Sequence, residues 1–215
     1  MKKEKLILIG GGGHCKSCID VIESSDTYDI HGILDLPELL GQEILGYKVI
    51  GNDGEIEKYH KEGFSFLITL GQIKSAERRR KIFEDLEKTG ARQPVIISGK
   101  AIVSRHAEIE KGTVIMHGVI VNAGAKIGKN CIINSGALVE HGAEIGNHTH
   151  ISTHAIVNGD VKVGDECFVG SNVCISSQVK ITDKIIIGTG SLVLHDISDE
   201  GTYVGSPAKQ INKNK

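Results

Sequence analysis

From Ile97 to Val193, every sixth residue is Ile or Val, seventeen stops without a slip. A second column runs four residues behind each stop, from Ala101 to Ser191, and holds only Ala, Thr, Val, Ile, Cys or Ser. Neither a helix nor an ordinary strand repeats with period six. A hexapeptide period is the pattern of a parallel β-helix, whose coils stack and bury one continuous core. A longer repeat of eighteen is visible in Ile127-Gly128, Ile145-Gly146 and Val163-Gly164. Three hexapeptides therefore make one coil of a triangular prism, with a turn at each corner. Ninety-seven residues give five to six coils, roughly 25 Å of prism at ~4.8 Å per coil. The frame takes no insertion, so any loop over a site must come from outside the prism.

Composition supports a stacked-coil core: 27 Gly, 4% aromatic residues and no Trp. A net charge of −2 gives no electrostatic basis for binding nucleic acid or an anionic membrane. The apolar run Leu6–Ile9 is too short, and too soon broken by Gly10, for a signal peptide. No stretch is long enough to span a membrane. Five Cys without a secretory signal point to a reducing, cytoplasmic setting. Cys131 and Cys167 fall in the small-residue column and read as core fillers. Cys15 and Cys18 form a lone C-x-x-C, read as a buried helix face rather than a metal or redox site.

Residues 1–93 read as an α/β domain and residues 94–215 as the all-β prism with its tail. Lys5–Ile9 is a buried strand, Gly10–Gly13 a tight turn and Cys15–Ser24 a helix. That is the opening of a nucleotide-binding βαβ unit. Lys16 stands where the dinucleotide fingerprint needs Gly or Ala, so the fingerprint is incomplete. Asp29–Leu34 reads as a second strand ending at Asp35, whose carboxylate either accepts from a ribose or base edge or is simply solvated. Tyr47–Ile50 reads as an edge strand, Asp53–Lys61 as a helix, and Phe64–Leu70 as a strand closing on Gly71-Gln72. Ser75–Thr89 reads as an amphipathic helix stopped by Gly90, with its Arg78–Lys81 run on a solvated face. The tail carries Gly205-Ser206-Pro207-Ala208-Lys209 and a charged end expected to fray. Seven histidines lie at or beyond the prism start: His106, His117, His141, His148, His150, His154 and His195. None is on an inward column, so solvated corner positions are expected for most of them.

The hexapeptide columns together with GlySerProAlaLys resemble the left-handed β-helix acyltransferases. With the GlyGlyGlyGlyHis turn added, the whole chain resembles the bacterial nucleotide-aminosugar N-acetyltransferases, grouped with sialic-acid O-acetyltransferase-like proteins. The resemblance implies left-handed coiling, a homotrimer, and acetyl-CoA lying between neighbouring prisms, with no metal. It places His141 as the general base that takes a proton from the acceptor. The family carries a carboxylate immediately after this histidine, where this chain has Gly142. The eighteen-residue coil stacks Asp160 over that position, which makes Asp160 the expected orienting acid; Glu140, Glu144 and a residue of a neighbouring subunit are alternatives. The resemblance further implies His150 as an acetyl-CoA contact, with ring or backbone donors nearby for the thioester carbonyl. Ser171 and Thr189 would line the CoA arm through backbone groups, with Gly159 a further contact. Gly12, Gly13, His14, Asp35 and Gly71 would meet the nucleotide-sugar.

The expected activity is acetyl transfer to the amine of a nucleotide-linked 4-amino-deoxysugar. Alternatives are O-acetylation of a sugar hydroxyl, a zinc enzyme like the γ-type carbonic anhydrases using several of the prism histidines, and a non-catalytic nucleotide-binding trimer.

Overall fold

A computed structural model describes residues 3–211. The first domain is built on β1 (Glu4–Ile9), α1 (Gly13–Ser25), β2 (Tyr28–Leu34), β3 (Glu43–Ile44), β4 (Tyr47–Gly51), α2 (Ile56–Lys61), β5 (Ser65–Ile68) and α3 (Glu77–Thr89). The sheet order is β3-β4-β2-β1-β5, parallel except for the β3–β4 hairpin. In the middle strands, Leu6–Ile9 of β1 and Gly32–Leu34 of β2 are buried, whereas Lys5, Asp29 and His31 at their other ends are exposed. The edge of the sheet is β3, not Tyr47–Ile50. The hairpin turns at Leu45-Gly46, both at positive φ (47° and 87°), a twist that suits tightly paired strands. Asn52 caps the 3-10 turn leading into α2 by accepting from Gly54 N at 2.9 Å.

From Ile96 the chain winds as a parallel β-helix, each two-residue strand pairing with the one eighteen residues on. The three sheets hold six, five and eight strands. The ruler residues point inward and are buried from Ile115 onward; Ile97, at the open end, stays 37% exposed. Cys131 and Cys167 are buried, and their thiols donate to Gly146 O and Thr182 O across the prism. The residue three after each ruler stop takes the left-handed conformation at nearly every corner. Along one corner these are Gly124, Gly142, Asp160 and Gln178, with φ between 58° and 76°. That demand explains why Gly, Asn and Asp recur there.

The residue before each ruler stop points outward, and it differentiates the three faces. On one face the outward residues are Ile102, Ile120, Leu138, Ile156, Cys174 and Leu192, an apolar face on which no other helix or domain sits among the described residues. On the second they are Glu108, Lys126, Glu144, Lys162 and Lys180, a charged face. On the third they are Ile96, Val114, Ile132, His150, Phe168 and Ile186. The first domain sits on this third, covered face. The strand Thr202–Val204 extends that face, then turns back through Gly205–Ala208 to Lys209–Ile211. The charged end expected to fray lies outside the described residues.

The domains dock through a shared apolar cluster, in which Cys18 and Ile22 of α1 belong with Ile96 and Val114, and through specific polar clasps. Arg79, expected on a solvated face of α3, is buried to 1% exposure. Its guanidinium donates to Ile68 O (3.0 Å), Leu70 O (2.6 Å), Asn130 O (3.2 Å) and Asn130 Oδ1 (2.7 Å). It thus ties the end of β5 to a prism corner. Loss of solvation pushes its pKa down to about 10, so it remains a cation at neutral pH. The sequence held a signal for this: Arg79 shares the i, i+3, i+4, i+7 stripe with Ile82, Phe83 and Leu86, all buried. A second clasp joins α1 to the prism, with His117 between Asp20 (2.8 Å) and Ser98 (2.5 Å).

Candidate active site

The carboxyl ends of β1, β2 and β5 bring together Gly12, Gly13, His14, Asp35 and Gly71. Gly12 precedes α1 in extended conformation without a side-chain cap, so the helix N-terminus presents backbone N–H groups suited to an anion. Asp35 accepts from Gly11 N at 2.5 Å and from Leu36 N at 2.8 Å, fixing the glycine turn. A side chain at Gly11 would run into Ile44, and one at Gly71 would touch His14. The Nε2 of His14 is buried and, among the described residues, makes no hydrogen bond. Burial, with Arg79 and His150 adding to it, pushes its pKa down to about 3. His14 is therefore a neutral imidazole whose buried Nε2 is uncommitted, fitted to a polar ligand atom.

His150 departs from the solvated-corner expectation. It points outward from the prism but lies under the first domain and is 6% exposed. Its Nδ1–H donates to Gln72 O at 2.7 Å, and Nε2 accepts from Asn134 Nδ2 at 3.3 Å. The ring thus has no free N–H to offer a thioester carbonyl. Burial pushes its pKa down to about 4. Gln72, which sequence reasoning left without a role, is buried and donates from its side chain to His148 O (2.9 Å) and Cys167 O (3.2 Å). Gln72 and His150 together pin the Gly71 loop to the covered face, with the His14 ring 6.5 Å from that of His150. The outward column was the missed signal: His150 stands between Ile132 and Phe168, neighbours that fit a covered surface.

His141, Gly159 and Asp160 share the corner between the apolar and charged faces. His141 is exposed, and its ring lies on Gly159, where a Cβ would come within 2.6 Å of Cε1. Among the described residues, Gly159 N–H has no acceptor, while its carbonyl accepts from Gln178 N. Asp160 stacks its carboxylate over Gly142, as the eighteen-residue register requires. Within the chain it makes no hydrogen bond to the His141 ring. Glu140 instead accepts from His141 N at 3.1 Å.

Ser171 and Thr189 lie at a different corner, between the covered and apolar faces. Their backbone N–H groups also find no acceptor among the described residues. Elsewhere, between the charged and covered faces, the equivalent N–H groups of Lys129, Asn147 and Asp165 are taken by Asn147, Asp165 and Asp183 side chains at 3.0, 2.7 and 2.8 Å. The two corners flanking the apolar face thus retain backbone donors that suit the amide carbonyls of a pantetheine arm. His117, His141, His148 and His154 are spread over three corners, and among the described residues no three His, Cys, Asp or Glu side chains converge as a metal site.

The model described as PglD N-terminal domain matches residues 5–86, and that of bacterial transferase hexapeptide (six repeats) matches residues 106–141. No curated protein sequence matches the chain. The acetyltransferase domain of PglB from Neisseria gonorrhoeae FA1090, solved with acetyl coenzyme A, is 31% identical over 98% of this chain and 100% of its own, with a TM-score of 0.91. PerB from Caulobacter crescentus, solved with CoA and GDP-perosamine, is 29% identical over 97% of both chains, with a TM-score of 0.90. WeeI from Acinetobacter baumannii AYE, at 21% identity and a TM-score of 0.85 over 97% of this chain and 100% of its own, shares the fold. With both domains and the unbroken hexapeptide prism matched end to end, the chain belongs to the left-handed β-helix nucleotide-sugar N-acetyltransferases, which are acetyl-CoA-dependent acetyltransferases.

Proposed function

We propose that the chain acetylates the amine of a nucleotide-linked 4-amino-deoxysugar, with His141 as general base. The carrying observation is the pairing of His141 with Gly159: an exposed imidazole lies directly on a backbone whose N–H is uncommitted. Bound acetyl-CoA supplies the activated acetyl group. His141 takes a proton from the attacking amine as the N–C bond forms. The C–S bond breaks, and that proton can leave with the CoA thiol. Gly159 N–H is placed to donate where negative charge develops on the carbonyl oxygen. Asp160 supplies a carboxylate at this corner in place of the acid missing at Gly142. The first domain holds the nucleotide-sugar through the α1 N-terminus at Gly12 and Gly13, with Asp35, Gly71 and the neutral His14. Ser171 and Thr189 offer backbone N–H groups to the CoA arm, and His150 braces the loop beside it.

The working form is a cytoplasmic homotrimer. The uncovered apolar face separates the His141 corner from the Ser171–Thr189 corner, so one chain does not assemble the whole site. Copies arranged with this face toward a common axis bury it and bring the two corners of neighbouring chains together. A CoA-release assay over nucleotide-linked 4-amino sugars, with matched hydroxyl sugars alongside, tests the reading. Turnover of the amines supports it. Turnover of hydroxyl sugars alone establishes O-acetylation instead.

A further inference from the structure

We propose that His154 of one copy completes the active site of the next, where it meets His141 and holds that ring for proton transfer. This deepens the trimeric reading above and rests on it. Among the described residues no side chain hydrogen-bonds the His141 ring, although a general base needs its second nitrogen held. His154 is exposed at the corner between the covered and apolar faces, with φ at 55°. The same corner position is Gly118, Gly136, Asn172 and Gly190 in the other coils. A left-handed imidazole there costs about 1–2 kcal/mol that glycine avoids.

Height along the prism decides the partner. His154 reaches down one coil, and its ring covers Gly136 so closely that no Cβ could fit there. His141 belongs to the coil of Gly136 and reaches up one coil to Gly159. Both rings therefore occupy the same layer, at the two corners bordering the apolar face. Leu138 and Ile156 are the outward apolar residues of that face in the same two coils. Rotation about an axis parallel to the prism carries no axial shift. A second copy seated on the apolar face therefore presents His154 at the height of His141. Its imidazole supplies, from the neighbouring chain, the hydrogen-bond partner that the His141 ring lacks within its own chain, while Asp160 remains the nearby carboxylate.

Cysteine cross-linking tests the apposition without requiring activity. In a Cys174→Ser background, the double variant His141→Cys, His154→Cys should be linked between copies by a short bismaleimide, because two rings in hydrogen-bond contact leave their Cα atoms too far apart for a direct disulfide. Neither single variant should be linked. Absence of links in the double variant overturns the proposal. In turnover, His154→Ala should lower kcat about 10–100-fold with small changes in KM, and His154→Gln should recover part of it. Trimers assembled from equal amounts of His141→Ala and His154→Ala chains should regain about a quarter of wild-type activity, because one site in four draws both intact histidines. An unchanged kcat in His154→Ala, or no recovery in mixed trimers, also overturns it. Wild-type protein inert toward every nucleotide-aminosugar would instead refute the catalytic reading, while the cross-link result would still decide the apposition.

Discussion

Asp160 lies with its carboxylate over Gly142, one coil below it, and leaves no space there for a Cβ. Gly142 also sits at φ 66°, where a side chain is strained regardless of space. The acid that the family resemblance places after the base would have to displace the Asp160 carboxylate and take a strained backbone here. Gly142→Asp alone should destabilise the protein by about 1–3 kcal/mol. Adding Asp160→Gly should recover much of that loss and retain turnover, as read by thermal unfolding and steady-state kinetics. Asp160→Asn should lower kcat and alter its pH profile; an unchanged profile would remove Asp160 from the mechanism.

Replacing His141 by Ala should lower kcat by about 10²–10⁴-fold with both KM values little changed, because the base acts in the transition state. Steady-state kinetics with each substrate varied in turn checks the split.

Arg79 satisfies Ile68 O, Leu70 O and Asn130 from a buried site. Arg79→Met leaves those acceptors buried and unpaired and should cost about 2–4 kcal/mol. Arg79→Lys should recover little, since one ammonium cannot span the acceptors that a planar guanidinium reaches. Denaturant unfolding measures both.

Acid should weaken the fold through two histidines. The folded pKa values of His14 and His150, about 3 and about 4, lie below the ordinary value of 6.5. Between pH 6.5 and those values the unfolded chain binds protons that the folded chain refuses. Stability is therefore full above pH 6.5 and falls as the pH drops through that window, by up to ~1.4 kcal/mol per pH unit for each histidine. His150→Gln should flatten the slope, measured by urea unfolding from pH 7 to pH 4.5.

Ile156 is 37% exposed in the single chain, at the middle of the apolar face. Ile156→Glu should shift the protein from trimer to monomer in sedimentation and abolish turnover while the circular dichroism spectrum is preserved. A trimer that persists in this variant would place the interface elsewhere.

The prism was legible because its signal is local and repeated. A six-residue period admits one kind of backbone path, and the unbroken register located every inward side chain as well as Asp160 over Gly142. The βαβ opening was legible for the same reason, since a strand, a glycine turn and a helix are set by neighbouring residues. Sequence alone therefore determined the two domains, the core columns and the corner that carries His141. Tertiary structure decided what happens where the domains meet. Arg79 reads as surface by its charge and His150 as surface by its outward position, yet docking buries both and commits their nitrogens to carbonyls and amides far away in the chain. Such burial depends on which faces come together, and one period in one chain does not encode that choice.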